Sequence, residues 1–485
     1  MNNHLDSLFN PENIAVVGAS NNPLKAGYVI VQNLINIGYP KKIFPINIKE
    51  DHICGIKSYR SLYDIEDKVE MVVLIMPAGA IFDVMKDIEN RMKSKNDIKV
   101  IVCASADFAE TKTPEGIKRQ NHLIEISKKY GIRIVGPNCI GVIDNVNRVD
   151  TTFVETLLPK ESRGKKGGIS FISQSGAVAA SLLMSGASQP APISFNKFVS
   201  IGNMADIDFI DLLKYFENDE DTKVIGLYLE GYSDGRRLIN TIAEITVKKP
   251  VVVLKVGRSE KGASAASSHT GSLAGSDVVY DSAFKQYGVI RVDTLQELMD
   301  TMQAFDSLKL PDDGNVFVLS QAGGPGIYCT DAVSNQNNLE MPIIEDITKE
   351  KLKEIAPAMS SICKPEGYAD ITAAANVRHH VESLKVIIND SNVSSVLFIT
   401  VVPTFLPQDK LAEKMIDLLE NEGYRNKKSV FISIMSGNYV WECRKSIEEK
   451  GIYTFASPDQ AVKALANMVR YSKYLKRIKG GSANE

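Results

Sequence analysis

The sequence predicts an α/β protein in which parallel sheets are covered by helices and the chain is divided into about three domains. Three observations carry this reading. Short apolar runs alternate with longer amphipathic stretches of helical period, the pattern of strands buried on both faces between helices. The opening ISFISQSG (Ile169 to Gly176) recurs as VFVLSQAG (Val316 to Gly323), each an apolar strand, then Ser-Gln-small-Gly, then a helix, as a duplicated unit would give. A length of 485 residues exceeds what one core serves, at roughly 100 to 200 residues per domain.

In chain order, Asn13 to Val17, Lys42 to Ile46, Met71 to Met76, Val100 to Cys103 and Arg133 to Val135 are read as buried strands of a first unit, with helices between them. The polar stretch Pro159 to Lys166 (PKESRGKK) is read as a hinge. A second unit opens at Gly168, with strands at Ile169 to Ile172, Val224 to Leu229 and Val251 to Leu254, and runs to about Phe305. After the Pro311-Asp-Asp-Gly314 turn, a third has strands at Val316 to Leu319, Val396 to Thr400 and Val430 to Ile434. Beyond Tyr471 the chain is basic and then Gly-Gly-Ser-Ala-Asn-Glu, which predicts a frayed tail.

Composition narrows the function classes. Apolar residues are 44% and charged residues 24% of the chain, the balance of a folded globular protein. A net charge of −3, from 56 basic and 59 acidic side chains, offers no bulk attraction to nucleic acid or an anionic membrane, so an anionic ligand must be held locally. Cys54, Cys103, Cys139, Cys329, Cys363 and Cys443 form no C-x-x-C pair and no zinc-ligand spacing, so reduced cytoplasmic thiols and no metal site are expected. No secretory signal is read at the start, and the longest apolar run, Met71 to Phe82, is interrupted by Pro77 and falls short of the ~18 residues of a membrane span.

Four motifs bear on chemistry. VVGASNNPLKAG (Val16 to Gly27) follows the first strand; Gly18 allows a tight turn, and the amides opening the next helix can bind a pyrophosphate, although a plain strand-to-helix turn reads the same way. The second strand ends Pro45-Ile46-Asn47, where a dinucleotide fold usually carries an acid for the ribose, so NAD is disfavoured, whereas a nucleotide bearing a ribose phosphate can use Lys25 or Lys49. SSHTGSLAG (Ser267 to Gly275) sets His269 among small residues, where a neutral imidazole is either a nucleophile or a solvated loop side chain; His4, His52, His122, His379 and His380 have no such setting. SQSGA (Ser173 to Ala177) and AGGPG (Ala322 to Gly326) place small residues at helix starts that either attract an anion or simply turn tightly. YLEG (Tyr228 to Gly231) puts Glu230 at the carboxyl end of an apolar strand, within the region where open α/β sheets bind ligands and where it can orient an imidazole.

With FNPENIAVVGAS, GIRIVGPNCIG (Gly131 to Gly141), ISFISQSGA, VSIGNMADID (Val199 to Asp208), YLEG, SSHTGSLAG and AGGPG in this order, the chain resembles, from about Leu8 to Tyr471, the alpha subunits of ADP-forming acetyl-CoA or acyl-CoA synthetases, relatives of succinyl-CoA synthetase. The resemblance implies a Rossmann-like CoA-binding domain over 1–150, a flavodoxin-like ligase domain with the phosphohistidine loop over 151–308, a second such domain over 309–475 and a flexible tail over 476–485. It implies reversible conversion of acyl-CoA, ADP and phosphate to a carboxylic acid, CoA and ATP. His269 matches the phosphohistidine and Glu230 the acid that steadies it. Ser173, Gln174, Ser175 and Gly176, with Gly323, Gly324 and Gly326, match the helix starts that cradle phosphate. Gly18, Ala19, Ser20, Lys25, Asn47, Lys49 and Pro77 fall in the CoA site, and Asn138 and Asn203 in segments lining the acyl and thioester site. The resemblance further implies an ATP-grasp beta subunit that binds ADP or ATP with Mg2+, in an α2β2 assembly. Two departures stand out: Asp107 in SADFAE, where the family commonly has glycine, and KPEGYAD (Lys364 to Asp370), where relatives show an Asn-Pro-hydrophobic-Asp turn.

The rival reading from another class is a CoA or acyl-CoA binding regulatory protein without phosphoryl transfer. Against it stands the joint presence of His269, Glu230 and two anion-binding helix starts, which a binder does not need.

Overall fold

The computed structural model describes residues 5–154, 165–264, 277–357 and 367–481. His269 with its loop, residues 159–164 of the expected hinge, and residues 364–366 of the KPEGYAD departure lie outside the described residues. The chain forms two compact units, Met1–Ser188 with Pro192–Gln286, and Gln189–Ala191 with Tyr287–Glu485.

In the first unit the apolar runs become β1 (Ile14–Val17), β2 (Ile43–Ile46), the small hairpin β3 (His52–Ile53) and β4 (Ile56–Lys57), β5 (Met71–Leu74), β6 (Val100–Cys103) and β7 (Arg133–Val135). They build a parallel sheet ordered β2-β1-β5-β6-β7, apart from the β3-β4 hairpin. Every residue of β1, β5 and β6 is buried, because helices cover both faces, and this is why IAVV, MVVL and VIVC read as unbroken apolar runs.

A second sheet of this unit holds β8 (Val142–Asp144), β9 (Val149–Asp150), β10 (Ile169–Ser173), β11 (Phe195–Ser200), β12 (Val224–Leu229) and β13 (Val251–Lys255), in the order β13-β12-β10-β11-β8-β9. β8 runs antiparallel to β11, so the last residues of the span expected for the first domain hydrogen-bond into the second sheet. Sequence reading passes over β11 for a physical reason. FNKFVS buries Asn196 and Lys197, and the ammonium of Lys197 is sheltered by Asp219 at 3.0 Å, Asp144 at 3.4 Å and the ring of Phe9.

The second unit contains β14 (Ile290–Val292), β15 (Val316–Ser320), β16 (Tyr368–Asp370), β17 (Ser395–Val401), β18 (Ser429–Met435) and β19 (Thr454–Phe455). Its parallel sheet is ordered β16-β15-β17-β18-β19. Counted from the first strand of each, this sheet and the β10 to β13 strands both wind 2-1-3-4, the flavodoxin order. The helix Leu295–Ser307 is tied to the last helix, Pro458–Gly481, by Asn467, which donates to Thr301 Oγ1 at 3.0 Å. The last helix runs to Gly481, and Met468, Val469, Tyr471 and Tyr474 bury one face of its middle part.

Candidate functional site

Ligands of open α/β sheets bind beyond the carboxyl ends of the strands where the winding reverses. In the first sheet that point lies between β1 and β5, and Gly18 occupies it. Gly18 has φ +92°, and a Cβ there would lie 2.0 Å from the Ile75 carbonyl oxygen, so only glycine fits. Gly27, in the first turn of the Ala26–Asn36 helix, would meet the Gly18 oxygen at 2.1 Å. Loop and helix start are thus packed against each other, with Ser20 Oγ accepting from the Asn22 amide at 3.1 Å. Asn47 closes the far side: its Nδ2 donates to the Ala19 carbonyl at 2.8 Å, while its Oδ1 accepts from the amides of Lys49 and Glu50. Lys25, Lys49 and Pro77 are exposed around this loop, leaving two ammonium groups available to anions.

The reversal in the second sheet lies between β10 and β12. There the Gln174 side chain ties the two strand ends together. Its Oε1 accepts from the amides of Glu230 at 2.6 Å and Gly231 at 3.2 Å, and its Nε2 donates to the Gly231 carbonyl at 2.8 Å. Ser173 Oγ donates to the Ser175 carbonyl at 2.8 Å, and Ser175 Oγ caps the Gly176–Ala187 helix by accepting from Val178 N–H. The side chains of Ser173 and Gln174 are therefore engaged in shaping the turn, and the anion-binding capacity of SQSG resides in backbone amides at the helix start. Glu230 is buried beside them, and Tyr228, two residues earlier, has its phenol pushed up to about 12 by burial.

Asn138 and Asn203 come together from the two sheets of this unit. Asn138 has φ +59°, and its amide donates to the Ser105 carbonyl at 2.9 Å. The Ser105 hydroxyl in turn donates to the Met76 carbonyl at 2.7 Å, linking the β5 and β6 ends. From the other sheet, the amides of Asn203 and Ala205 donate to the carbonyls of Pro137 and Gly136, both at 2.9 Å. Asn138 Nδ2 donates to Asn203 Oδ1 at 3.4 Å, and Asn203 Nδ2 donates to Glu110 Oε2 at 2.5 Å and Gln120 Oε1 at 3.1 Å. This junction meets the SQSG turn, because Ile201 N–H donates to the Ser173 carbonyl at 2.9 Å and Gly176 abuts Ile140. Cys139, next to Asn138, is no nucleophile at neutral pH: burial pushes its thiol up to about 12.

Gly323, Gly324 and Gly326 open the Gly323–Ser334 helix of the second unit, and that turn repeats the SQSG geometry. Ser320 Oγ donates to the Ala322 carbonyl at 2.7 Å, and Gln321 Oε1 accepts from the Val401 amide at 3.2 Å across the β15-β17 reversal. Asp370, the acid of the divergent KPEGYAD segment, ends β16; its Oδ2 lies 3.2 Å from where a Cβ on Gly323 would sit. Asp107 has φ +68°, a left-handed conformation that favours glycine, and its carbonyl accepts from Arg119 at 2.9 Å.

Sequence reasoning missed Glu110, Gln120, Ser105 and the clamping role of Gln174. Glu230 directly follows β12, whereas Glu110 lies in a 3-10 turn well past the end of β6 at Cys103, so the signal that singled out Glu230 does not reach it. Among the described residues no group of three or more His, Cys, Asp or Glu is arranged to hold a metal ion, and no helix is long and apolar enough to cross a membrane.

Residues 12–145 match the family described as CoA binding domain, and residues 166–305 match the succinyl-CoA ligase like flavodoxin domain. A CoA-binding sheet joined to a ligase-type flavodoxin sheet defines a CoA ligase of the succinyl-CoA ligase type. Over 482 residues the chain is 36% identical to the acetate–CoA ligase [ADP-forming] II subunit alpha of Pyrococcus furiosus, spanning 99% of this chain and 100% of that one. It is also 36% identical to the acetate–CoA ligase [ADP-forming] of Methanocaldococcus jannaschii, spanning 97% of this chain but 65% of that one. Its fold follows the dinucleotide forming acetyl-coenzyme A synthetase 1 of Ca. Korarchaeum cryptofilum, solved with phosphate and ADP, at a TM-score of 0.86 and 30% identity over 98% of this chain and 99% of that one. The chain belongs to the alpha-subunit family of the ADP-forming acyl-CoA synthetases.

Proposed function

We propose that the chain is the acyl-transfer and phosphohistidine-forming subunit for the reversible reaction of acyl-CoA, ADP and phosphate to a carboxylic acid, CoA and ATP. A phosphate oxygen attacks the thioester carbonyl carbon; the C–S bond breaks, CoA leaves as the thiol and an acyl phosphate remains. A nitrogen of His269 then attacks phosphorus, the P–O bond to the acyl group breaks and the carboxylate departs. ADP takes the phosphoryl group in the last step as the N–P bond breaks. Splitting the transfer keeps CoA, the acid and ADP from crowding one centre.

In this reading Gly18, Ala19, Ser20, Lys25, Asn47, Lys49 and Pro77 hold CoA, and Asn138 and Asn203 face the thioester. Glu230 orients and offsets the charge of phospho-His269, while the amides at Ser173–Gly176 and at Gly323–Gly326 receive phosphate. The observation that carries the reading is the Gln174 clamp, which fixes Glu230 beside an amide-rich helix start at the reversal point of the second sheet.

The nucleotide step falls to a separate ATP-grasp beta subunit, which binds ADP or ATP with Mg2+, in an α2β2 assembly and a cytoplasmic location. Supporting this, one relative covered over its full length is named a subunit alpha, whereas the Methanocaldococcus relative is a single chain extending well beyond the matched part. The three-domain division at about 150 and 308, with a short tail, belongs to the same proposal.

The test is incorporation of labelled phosphate into the purified chain in the presence of acetyl-CoA, for the wild type and His269→Ala. Acid-labile label that requires the acyl-CoA and vanishes in the variant is expected. Label retained in His269→Ala overturns the assignment of the carrier.

A further inference from the structure

We infer that Glu110 is a positioning residue that sets the hydrogen-bond polarity of the thioester site; the inference rests on the reading that Asn138 and Asn203 face the thioester. Glu110 lies in the short 3-10 turn Ala109–Thr111 past β6. Its two carboxylate oxygens are committed to different donors: Oε1 accepts from the Phe108 amide at 3.1 Å, and Oε2 accepts from Asn203 Nδ2 at 2.5 Å. The second hydrogen of Asn203 Nδ2 goes to Gln120 Oε1 at 3.1 Å, which also accepts from the Ala109 amide at 3.4 Å.

An amide side chain presents a donor on one edge and an acceptor on the other, whereas a carboxylate only accepts. Facing Glu110, Asn203 must point its NH2 toward the carboxylate and its oxygen away. That oxygen meets Asn138 Nδ2 at 3.4 Å, so Asn138 in turn presents a nitrogen to the junction. One N–H of Asn138 is used on Asn203; among the described residues no acceptor takes the other. A relay from Glu110 through Asn203 to Asn138 therefore ends in an N–H donor at the carboxyl edge of the sheets, with a negative charge at its head polarising each link. Charge develops on the thioester oxygen as phosphate attacks, and a preoriented donor there is the group that stabilises it.

The backbone makes the relay rigid. The Asn203 amide is bonded to the Pro137 carbonyl at 2.9 Å, and the Asn138 amide to the Ser105 carbonyl at 2.9 Å, so neither asparagine is free to reorient by moving its main chain. The carboxylate is the one member of the chain with no donor, and so the one that decides the direction of the rest.

Glu110→Gln removes this constraint at nearly constant shape. The two donors use different oxygens of the carboxylate; a glutamine puts an NH2 where one of those oxygens was, and with its remaining oxygen on Phe108 N–H that NH2 faces Asn203 and drives its amide to invert. In Glu110→Gln/Asn203→Asp the carboxylate moves one link along: the new glutamine and Gln120 each turn an N–H toward the new aspartate, which still accepts from Asn138. The readout is the infrared carbonyl stretch of 13C-labelled acetyl-CoA bound to the full chain. The wild type is expected to shift it to lower frequency, Glu110→Gln to lose the shift, and the double variant to recover it. The rate of acid-labile phosphate incorporation is expected to fall on the order of 10- to 100-fold in Glu110→Gln with the acetyl-CoA KM nearly unchanged. A purely structural role of Glu110 would not be restored by moving the charge to position 203. An unshifted carbonyl in the wild type, a shift that survives Glu110→Gln, or failure of the double variant to recover it overturns the inference. If phosphate incorporation is absent in every protein while the carbonyl follows this pattern, the inference stands and the phosphohistidine reading falls.

Discussion

Gly202 is the tightest point of the junction between the two sheets of the first unit, and Gly202→Ala tests whether that junction sets the geometry of the site. The residue has φ +52°, and a Cβ there would lie 2.2 Å from the Pro137 oxygen, 2.6 Å from the Asn138 oxygen and 2.7 Å from the Asn138 carbonyl carbon. All three are main-chain atoms, so no rotamer change relieves the contact, and the 136–138 segment must retreat by about 1 Å to reach ordinary van der Waals distance. Left-handed backbone costs an alanine about 1–2 kcal/mol, and overpacking of this kind about 1–3 kcal/mol more, so a loss of about 2–5 kcal/mol is expected. A displacement of about 1 Å at a reacting centre costs on the order of 100-fold in rate. The assay is thermal unfolding together with the rate of phosphate incorporation from acetyl-CoA. Gly235→Ala is the control, because its Cβ would meet only Tyr280 Oη at 3.7 Å. A Gly202→Ala protein with the melting temperature and rate of the wild type would refute the reasoning.

Arg91 is fully buried and donates to both oxygens of Asp97, at 3.0 and 2.6 Å, and to the carbonyls of Leu62, Ile65 and Asp67. Arg91→Met leaves Asp97 as an uncompensated buried charge and is expected to cost about 3–5 kcal/mol, seen as faster hydrogen exchange across residues 62–103; unchanged exchange would contradict it. His380, buried in the second unit, has its Nδ1 2.8 Å from the Asn376 carbonyl and its Nε2 3.4 Å from Thr400 Oγ1. Burial lowers its pKa from 6.5 to about 4, so the native state holds the neutral ring while the unfolded chain takes a proton below about 6.5. Its contribution is complete above pH 6.5 and is lost as pH falls toward 4, by about 3 kcal/mol at most. Protection of the Val377–Ile388 helix against hydrogen exchange should fall over that window in the wild type and stay flat in His380→Asn.

What sequence could show depended on how locally each feature is encoded. β1, β5 and β6 were legible because a parallel strand covered on both faces needs an apolar side chain at every position. β11 was not, since its buried Asn196 and Lys197 are satisfied by Asp144, Asp219 and Thr222, residues far along the chain that no local window contains. The same divide runs through the site. Gly18, Glu230 and the two Ser-Gln-small-Gly turns could be singled out because small residues and acids at strand ends carry a local signal. The contacts that tie them together were not, because the Gln174 side chain acts on Glu230 and Gly231, and Glu110 acts on Asn203, across pairings that only the fold makes.

The duplicated turns show why glutamine stands in both. A strand end at a reversal point exposes an amide and a carbonyl that the next strand cannot pair, since the chain departs there for opposite faces. Gln174 satisfies both with one side chain, accepting at Oε1 and donating at Nε2. Gln321 accepts from the Val401 amide in the same way and donates at 3.3 Å to the Ala373 carbonyl past β16. A glutamate would lack the donor and a lysine the acceptor, so neither closes the gap alone. Because the clamp absorbs the polar side chain, the amides of the following helix are left for an anion, and the residues after it must be small enough to let one approach. The Ser-Gln-small-Gly pattern is therefore a division of labour between structure and binding. Its glutamine belongs to the scaffold, and on the proposed function its glycines belong to the ligand.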